Sequence, residues 1–150
     1  MQSQVTFKQA IDSDAEALAA LRTEAMRESL ERIGRFDPQR AKDRFLSGFL
    51  PAITWHILVG GMKVGFFVVK QDANGLLLDH LYIKPGHQSQ GVGAVVLAQV
   101  FAQADRAACS LRVGALRESG SNRFYAQHGF VLVEQTEFDN YYVRYPANAL

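Results

Sequence analysis

Gln88-Ser89-Gln90-Gly91-Val92-Gly93 is the stretch whose residue types and spacing are best suited to holding a ligand, and the ligand it suits is an anion. Val92, Val95, Val96, Val100 and Phe101 recur at helical spacing, which predicts a helix beginning near Gln90 or Gly91. The first turn of a helix leaves backbone N–H groups without partners, and with the macrodipole they favour a phosphate. Gly91 and Gly93 have no Cβ, so a bulky anion can approach the backbone there. A P-loop would need Lys-Ser/Thr after the Gly86 to Gly91 spacing, where this chain has Val92-Gly93. A dinucleotide fingerprint would need a glycine at position 96, which is Val96.

The elements around this loop follow from periodicity and turn residues. Leu76, Leu77, Leu78, Leu81 and Ile83 form an apolar run of strand length that Pro85-Gly86 cannot continue. Val5 to Lys8 alternates as a short strand. Asp12-Ser13-Asp14 supplies N-cap residues for a helix through Leu18, Leu21, Ala25, Met26, Leu30 and Ile33, ended by Gly34. The spacing puts Arg22, Glu24, Arg27, Glu28 and Glu31 largely off the apolar stripe, as a solvated face with i,i+4 pairs. Asp37-Pro38 opens a second helix through Phe45, Leu46 and Phe49. Ile53 to Val59 and Met62 to Lys70 read as a hairpin turning at Gly60-Gly61. Cys109 to Gly114 reads as a strand, so the preceding strand, helix and this strand make a parallel crossover with the loop at a strand's carboxyl end. Ser121 to His128 reads as a short helix capped by Gly129, and Val131 to Glu137 and Asn140 to Tyr145 as two closing strands.

A chain of 150 residues, 48% hydrophobic, is expected to form a single domain over 1–150. The net charge of +1 and the lack of Lys/Arg runs give no electrostatic footprint for nucleic acid. No apolar run reaches membrane-span length and the N-terminal MQSQVTFKQ lacks a signal-peptide core, so a cytoplasmic location without a membrane partner is expected. The single cysteine, Cys109, offers neither an internal disulfide nor a metal cluster, and reads as a small buried strand residue; no metal is expected. Exposed edge strands at the C-terminal hairpin are compatible with a homodimer.

The hexapeptide Gln88 to Gly93 resembles the Q/R-x-x-G-x-G/A signature of the GCN5-related N-acetyltransferase (GNAT) superfamily, and Phe124-Tyr125-Ala-Gln-His128-Gly129-Phe130 resembles that family's second signature. The two together span Leu76 to Phe130. The resemblance implies a mixed α/β sheet of about seven strands with four helices on both faces. It implies acetyl-CoA as co-substrate, its pyrophosphate held by Gln88, Ser89, Gln90, Gly91, Val92, Gly93 and Ala94, and its pantetheine by the main chain of Leu81, Tyr82 and Ile83. The family commonly has an asparagine about seven residues before the tyrosine; this chain has Glu118 there, and Asn122 one helical turn later either serves the cofactor or caps the short helix.

The chemistry implied is acetyl transfer to a primary amine of a small molecule or amino acid. The alternatives are a non-catalytic acyl-CoA sensing domain and a peptide or protein N-acetyltransferase. An amine attacks a thioester only when neutral, so a base or ordered water must take its proton; Asp79 and His80, which point to opposite faces of the strand unless a bulge intervenes, are the candidates, with Glu24 or Glu28 of the first helix behind them. A main-chain N–H near Tyr82 or Ile83 would stabilise the oxyanion. Tyr125 stands at the family's acid position, where a phenol of pKa about 10 can protonate a thiolate whose acid has a pKa of about 8.5. Glu24 and Glu28, with Arg35 and Phe36 at the end of the first helix, are expected to shape the acceptor pocket; His87 is expected to be exposed and His56 a strand residue.

Overall fold

A computed structural model describes residues 4–147. The order is β1 (Val5–Gln9), α1 (Ala15–Arg32), α2 (Pro38–Gly48), β2 (Thr54–Val59), β3 (Met62–Asp72), β4 (Gly75–Ile83), α3 (Val92–Arg106), β5 (Leu111–Leu116), α4 (Ser121–Gln127), β6 (Val131–Gln135) and β7 (Asp139–Arg144). The seven strands form a mixed α/β sheet in the order β1-β2-β3-β4-β5-β7-β6. β4 and β5 pair in parallel, with α3 as their crossover, whereas β1 with β2, β2 with β3, β5 with β7 and β6 with β7 are antiparallel. The chain divides into two compact units: the residues up to Val68 with His80–Gly93, and Val69–Asp79 with the chain from Ala94 on.

In the first unit the local signals act as expected. Gly60 and Gly61 have φ of 58° and 83°, the two positive values that a tight hairpin turn requires. Asp37 caps α2 by accepting the Arg40 N–H at 3.1 Å, with Pro38 in the first turn. Gly34, at φ 71°, lets the Arg35 N–H return to the Leu30 carbonyl at 2.9 Å and so closes α1. Leu18 and Ala19 of α1 and Phe45 of α2 bury themselves with Phe66 and Val68 of β3, and Tyr82 packs against this cluster.

Asp14 stands at the N-cap of α1 as expected, but two details of this helix differ from expectation. Asp12 to Asp14 forms a 3-10 turn, and Asp14 makes no side-chain cap bond. Its carboxylate instead accepts the Ile11 N–H at 2.9 Å and lies 2.9 Å from Nε2 of His56, which is buried on β2. The His56 hydrogen bond, then the Ile11 N–H, hold the Asp14 carboxyl below its ordinary value of 3.8. A depressed carboxyl contributes stability above the unfolded value and loses it as pH falls through the folded one. Asp14→Asn is therefore expected to cost about 1–2 kcal/mol at neutral pH. It should also flatten the loss of stability below about pH 4, as read by urea unfolding at stepped pH.

Arg22 is the second. At 100° per residue it falls between Leu18 and Ala19 on the helical wheel, so it lies inside the inward stripe and is half-buried. The i,i+4 pairing expected on the outer face does form between Arg27 and Glu31 at 2.6 Å, and Glu28 pairs with Arg32, a residue not singled out from the sequence, at 2.9 Å.

In the second unit Arg144 of β7 grips Asp105 of α3 through two hydrogen bonds of 2.9 and 3.2 Å, and its guanidinium covers the Phe101 ring at 4.0 Å. Cys109 precedes β5 rather than belonging to it and is half-buried, because Ala108 turns the chain at φ 52° and pairing begins at Leu111. β6 is an edge strand whose residues are all exposed, including Val131, Leu132 and Val133. Among the described residues no helix is long and apolar enough to cross a membrane, and no cluster of His, Cys, Asp or Glu could hold a metal.

Candidate active site

The end of β4 and the loop after it belong to the first unit. Gly65 of β3 lies so close to β4 that a Cβ there would collide with the Tyr82 carbonyl oxygen. One residue earlier, the Val64 carbonyl accepts the Lys84 N–H at 2.8 Å. Together these fix the main chain of β4 from Tyr82 to Lys84. Val64 is also the extra residue of a bulge, since Ile57 pairs with Gly65 and Leu58 with Lys63.

The loop then takes left-handed backbone at three positions, Gly86 (φ 92°), Ser89 (φ 63°) and Gly91 (φ 80°). Its polar side chains brace it: Gln88 donates its amide to the Ile83 carbonyl at 2.9 Å, and Gln90 donates to the Gly86 carbonyl at 3.3 Å. His87, half-buried rather than exposed, donates its N–H to the Lys84 carbonyl at 3.0 Å. Gly91 leads directly into α3, and a Cβ on it would meet only open space. The arrangement therefore has the first-turn N–H groups of α3, a glycine backbone without steric cover, and room beside it. That fits the diphosphate of a coenzyme A ester.

His80 stands among the rings of Phe45, Phe66 and Tyr82 at centroid distances of 5.5, 6.1 and 5.6 Å, and its Nδ1 is 3.4 Å from the Tyr82 hydroxyl. Asp79 pairs with Lys70 of β3 at 3.1 Å.

In the second unit, Tyr125 is buried on α4, edge-on to Phe130 at 5.3 Å and 6.2 Å from the Tyr142 ring. Gly129, at φ 88°, ends α4 and lets the Phe130 N–H reach the Tyr125 carbonyl at 3.2 Å. Asn122 neither caps α4 nor keeps its amide for a ligand. Its Nδ2 donates to the carbonyls of Leu116, Arg117 and Ser119 at 2.7, 3.1 and 2.9 Å. Its Oδ1 accepts from Asn140 and from the Tyr142 hydroxyl, both at 2.8 Å. An amide has two donor hydrogens, here shared among three carbonyls, and two lone pairs, both used, so this side chain is spent on tying α4 to β5 and β7.

The acceptor-side candidates are spread along α1 and just beyond it. Glu28 is 88% exposed and paired with Arg32, and Phe36 lies under the Arg27 guanidinium at 5.2 Å. Glu24 lines a cleft of about 300 Å³ between α1 and α2, with Glu16, Thr23, Pro38 and Lys42. Arg35 follows the Gly34 turn and is exposed. Sequence reading missed the Gly65 approach, the Tyr82 hydroxyl beside His80, and Arg22. For Arg22 a signal was present, since every residue three or four positions away is apolar: Leu18, Ala19, Ala25 and Met26.

The model of the acetyltransferase (GNAT) domain family matches residues 51–132, more than half of the chain. The chain belongs to the GNAT acetyltransferases and is an acyltransferase. Solved structures share the fold at low identity. The PaiA N-acetyltransferase of Thermoplasma acidophilum, in complex with coenzyme A, is 15% identical, covers 95% of this chain and 99% of its own, and has a TM-score of 0.76. An acetyltransferase from Thermus thermophilus is 19% identical over 97% of this chain and 99% of its own, with a TM-score of 0.75. Apo YjaB from Escherichia coli is 18% identical over 96% and 99%, with a TM-score of 0.76. No curated protein matches the chain.

Proposed function

We propose that this chain, acting as one N-acetyltransferase domain, moves the acetyl group of acetyl-CoA to the primary amine of a small molecule or amino acid. The observation that carries the reading is the loop from Gly86 to Gly91, which is bent by three positive φ values, braced by Gln88 and open at Gly91. Gln88 acts here as a brace, and the backbone of Ser89 to Ala94 as the anion contact. The main chain of Leu81, Tyr82 and Ile83 is the proposed partner of the pantetheine. The parallel ladder to β5 covers Leu76–Leu78, so β4 runs on beyond it.

Acetyl-CoA, when bound, supplies the acetyl group as a thioester. The chain's own groups then have to move two protons. Nδ1 or Nε2 of His80 takes the proton that the amine must lose, which is favoured over Asp79 because the Asp79 carboxylate is already committed to Lys70. Oη of Tyr125 delivers a proton to the departing sulfur. The new N–C bond, the broken C–S bond and these two transfers balance the reaction to an amide and a free thiol.

The test is thiol release from acetyl-CoA by the purified protein across a panel of small primary amines, amino acids and short peptides. Turnover with small amines above the peptides supports the reading. Turnover confined to peptides overturns the acceptor class, and binding without turnover on any acceptor makes the chain a sensor.

A further inference from the structure

We infer that Arg22 binds a carboxylate on the acceptor, so that the amine this enzyme acetylates also carries a negative charge. The inference rests on the N-acetyltransferase reading and deepens it.

Arg22 lies on the inward face of α1, one turn beyond Leu18 and Ala19, the two residues of this helix buried in the cluster with Phe45 and Phe66. Tyr82 packs on the same cluster. The Nε of Arg22 is closed to solvent and meets no acceptor. Other arginines of the chain are paired: Arg27 with Glu31, Arg32 with Glu28, Arg112 with Asp72 and Arg144 with Asp105. Arg112 also has a buried Nε without an acceptor, but the Asp72 carboxylate answers its charge. Among the described residues no acidic group answers that of Arg22, and its own helix provides none, because its neighbours at three and four positions are apolar.

A guanidinium half out of water with no counter-ion is destabilising. A leucine or methionine at the centre of an apolar stripe would avoid that cost, and an anion brought from outside the chain would offset it. A carboxylate matches the planar fork of guanidinium. It is also the anion that travels with an amine in an amino acid, whereas a simple alkylamine would bring a second positive charge toward Arg22.

The experiment compares amino acids with their neutral carboxamides as acceptors, by thiol release from acetyl-CoA, in the wild type, Arg22→Lys and Arg22→Met. The wild type is expected to favour the amino acids by about 10-fold or more in kcat/KM, the worth of a charge-assisted hydrogen bond. Arg22→Met should collapse that ratio to near one, and Arg22→Lys should restore part of it. Thermal unfolding adds a readout that separates binding from structure: Arg22→Met should melt higher than the wild type by about 2–4 °C, whereas a merely structural arginine would melt lower when replaced. A wild type without preference, an unchanged ratio in Arg22→Met, or a loss of acetyl-CoA affinity in place of acceptor preference would each overturn the proposal. Absence of turnover with every acceptor, charged or neutral, would instead remove the enzyme reading on which it rests.

Discussion

Gly91→Val is expected to reduce acetyl-CoA affinity by about 100-fold or more while leaving the protein folded. Two effects act together. Gly91 has φ 80°, where a β-branched residue is strained by about 1–3 kcal/mol. Its Cβ would also project into the open space that the diphosphate is proposed to fill. Gly61→Val is the matched control: Gly61 has φ 83° and equally open surroundings, but it turns the β2–β3 hairpin. Both variants should lose similar stability in urea unfolding, and only Gly91→Val should lose the ligand in calorimetric titration. Equal acetyl-CoA affinity in the two variants would mean that the loop is an ordinary turn.

Tyr125→Phe is expected to lower kcat by about 100-fold with acetyl-CoA affinity nearly unchanged. The separation is possible because ring and hydroxyl do different work. The ring is buried against Phe130 and Tyr142, and phenylalanine keeps that packing. The hydroxyl is the proposed proton donor to the departing sulfur, and its loss would leave that leaving group without help. Single-turnover kinetics, with calorimetry on the same preparation, would check both halves. A Tyr125→Phe variant with full turnover would reduce the residue to core packing.

Turn chemistry was the most legible part of the chain. Gly60-Gly61, Asp37-Pro38, Gly34 and Gly129 each act through contacts a few residues away, and each turn or cap falls where its residues demand. The loop between β4 and α3 was legible for the same reason: a nearly contiguous strand, turn and helix carry it. What escaped depends on residues distant in sequence. Asn122 reads as a cap or a ligand group, but its partners include Asn140 and Tyr142, 18 and 20 residues away. Asp14 reads as a cap until His56 arrives from β2, 42 residues on. Asp79 reads as a free base until Lys70 crosses from the neighbouring strand. Arg22 differs: it reads as lying off the apolar stripe, whereas at about 100° per residue it falls between Leu18 and Ala19 and is half-buried.

The central claim is that Gln88 to Ala94 forms an acyl-CoA diphosphate site, and calorimetric titration of the purified protein with acetyl-CoA, ATP and NAD tests it most directly. The account predicts saturable binding of acetyl-CoA and none of ATP or NAD, because the loop lacks the lysine of a P-loop and the third glycine of a dinucleotide site. Absence of acetyl-CoA binding, or equal binding of all three, would contradict it.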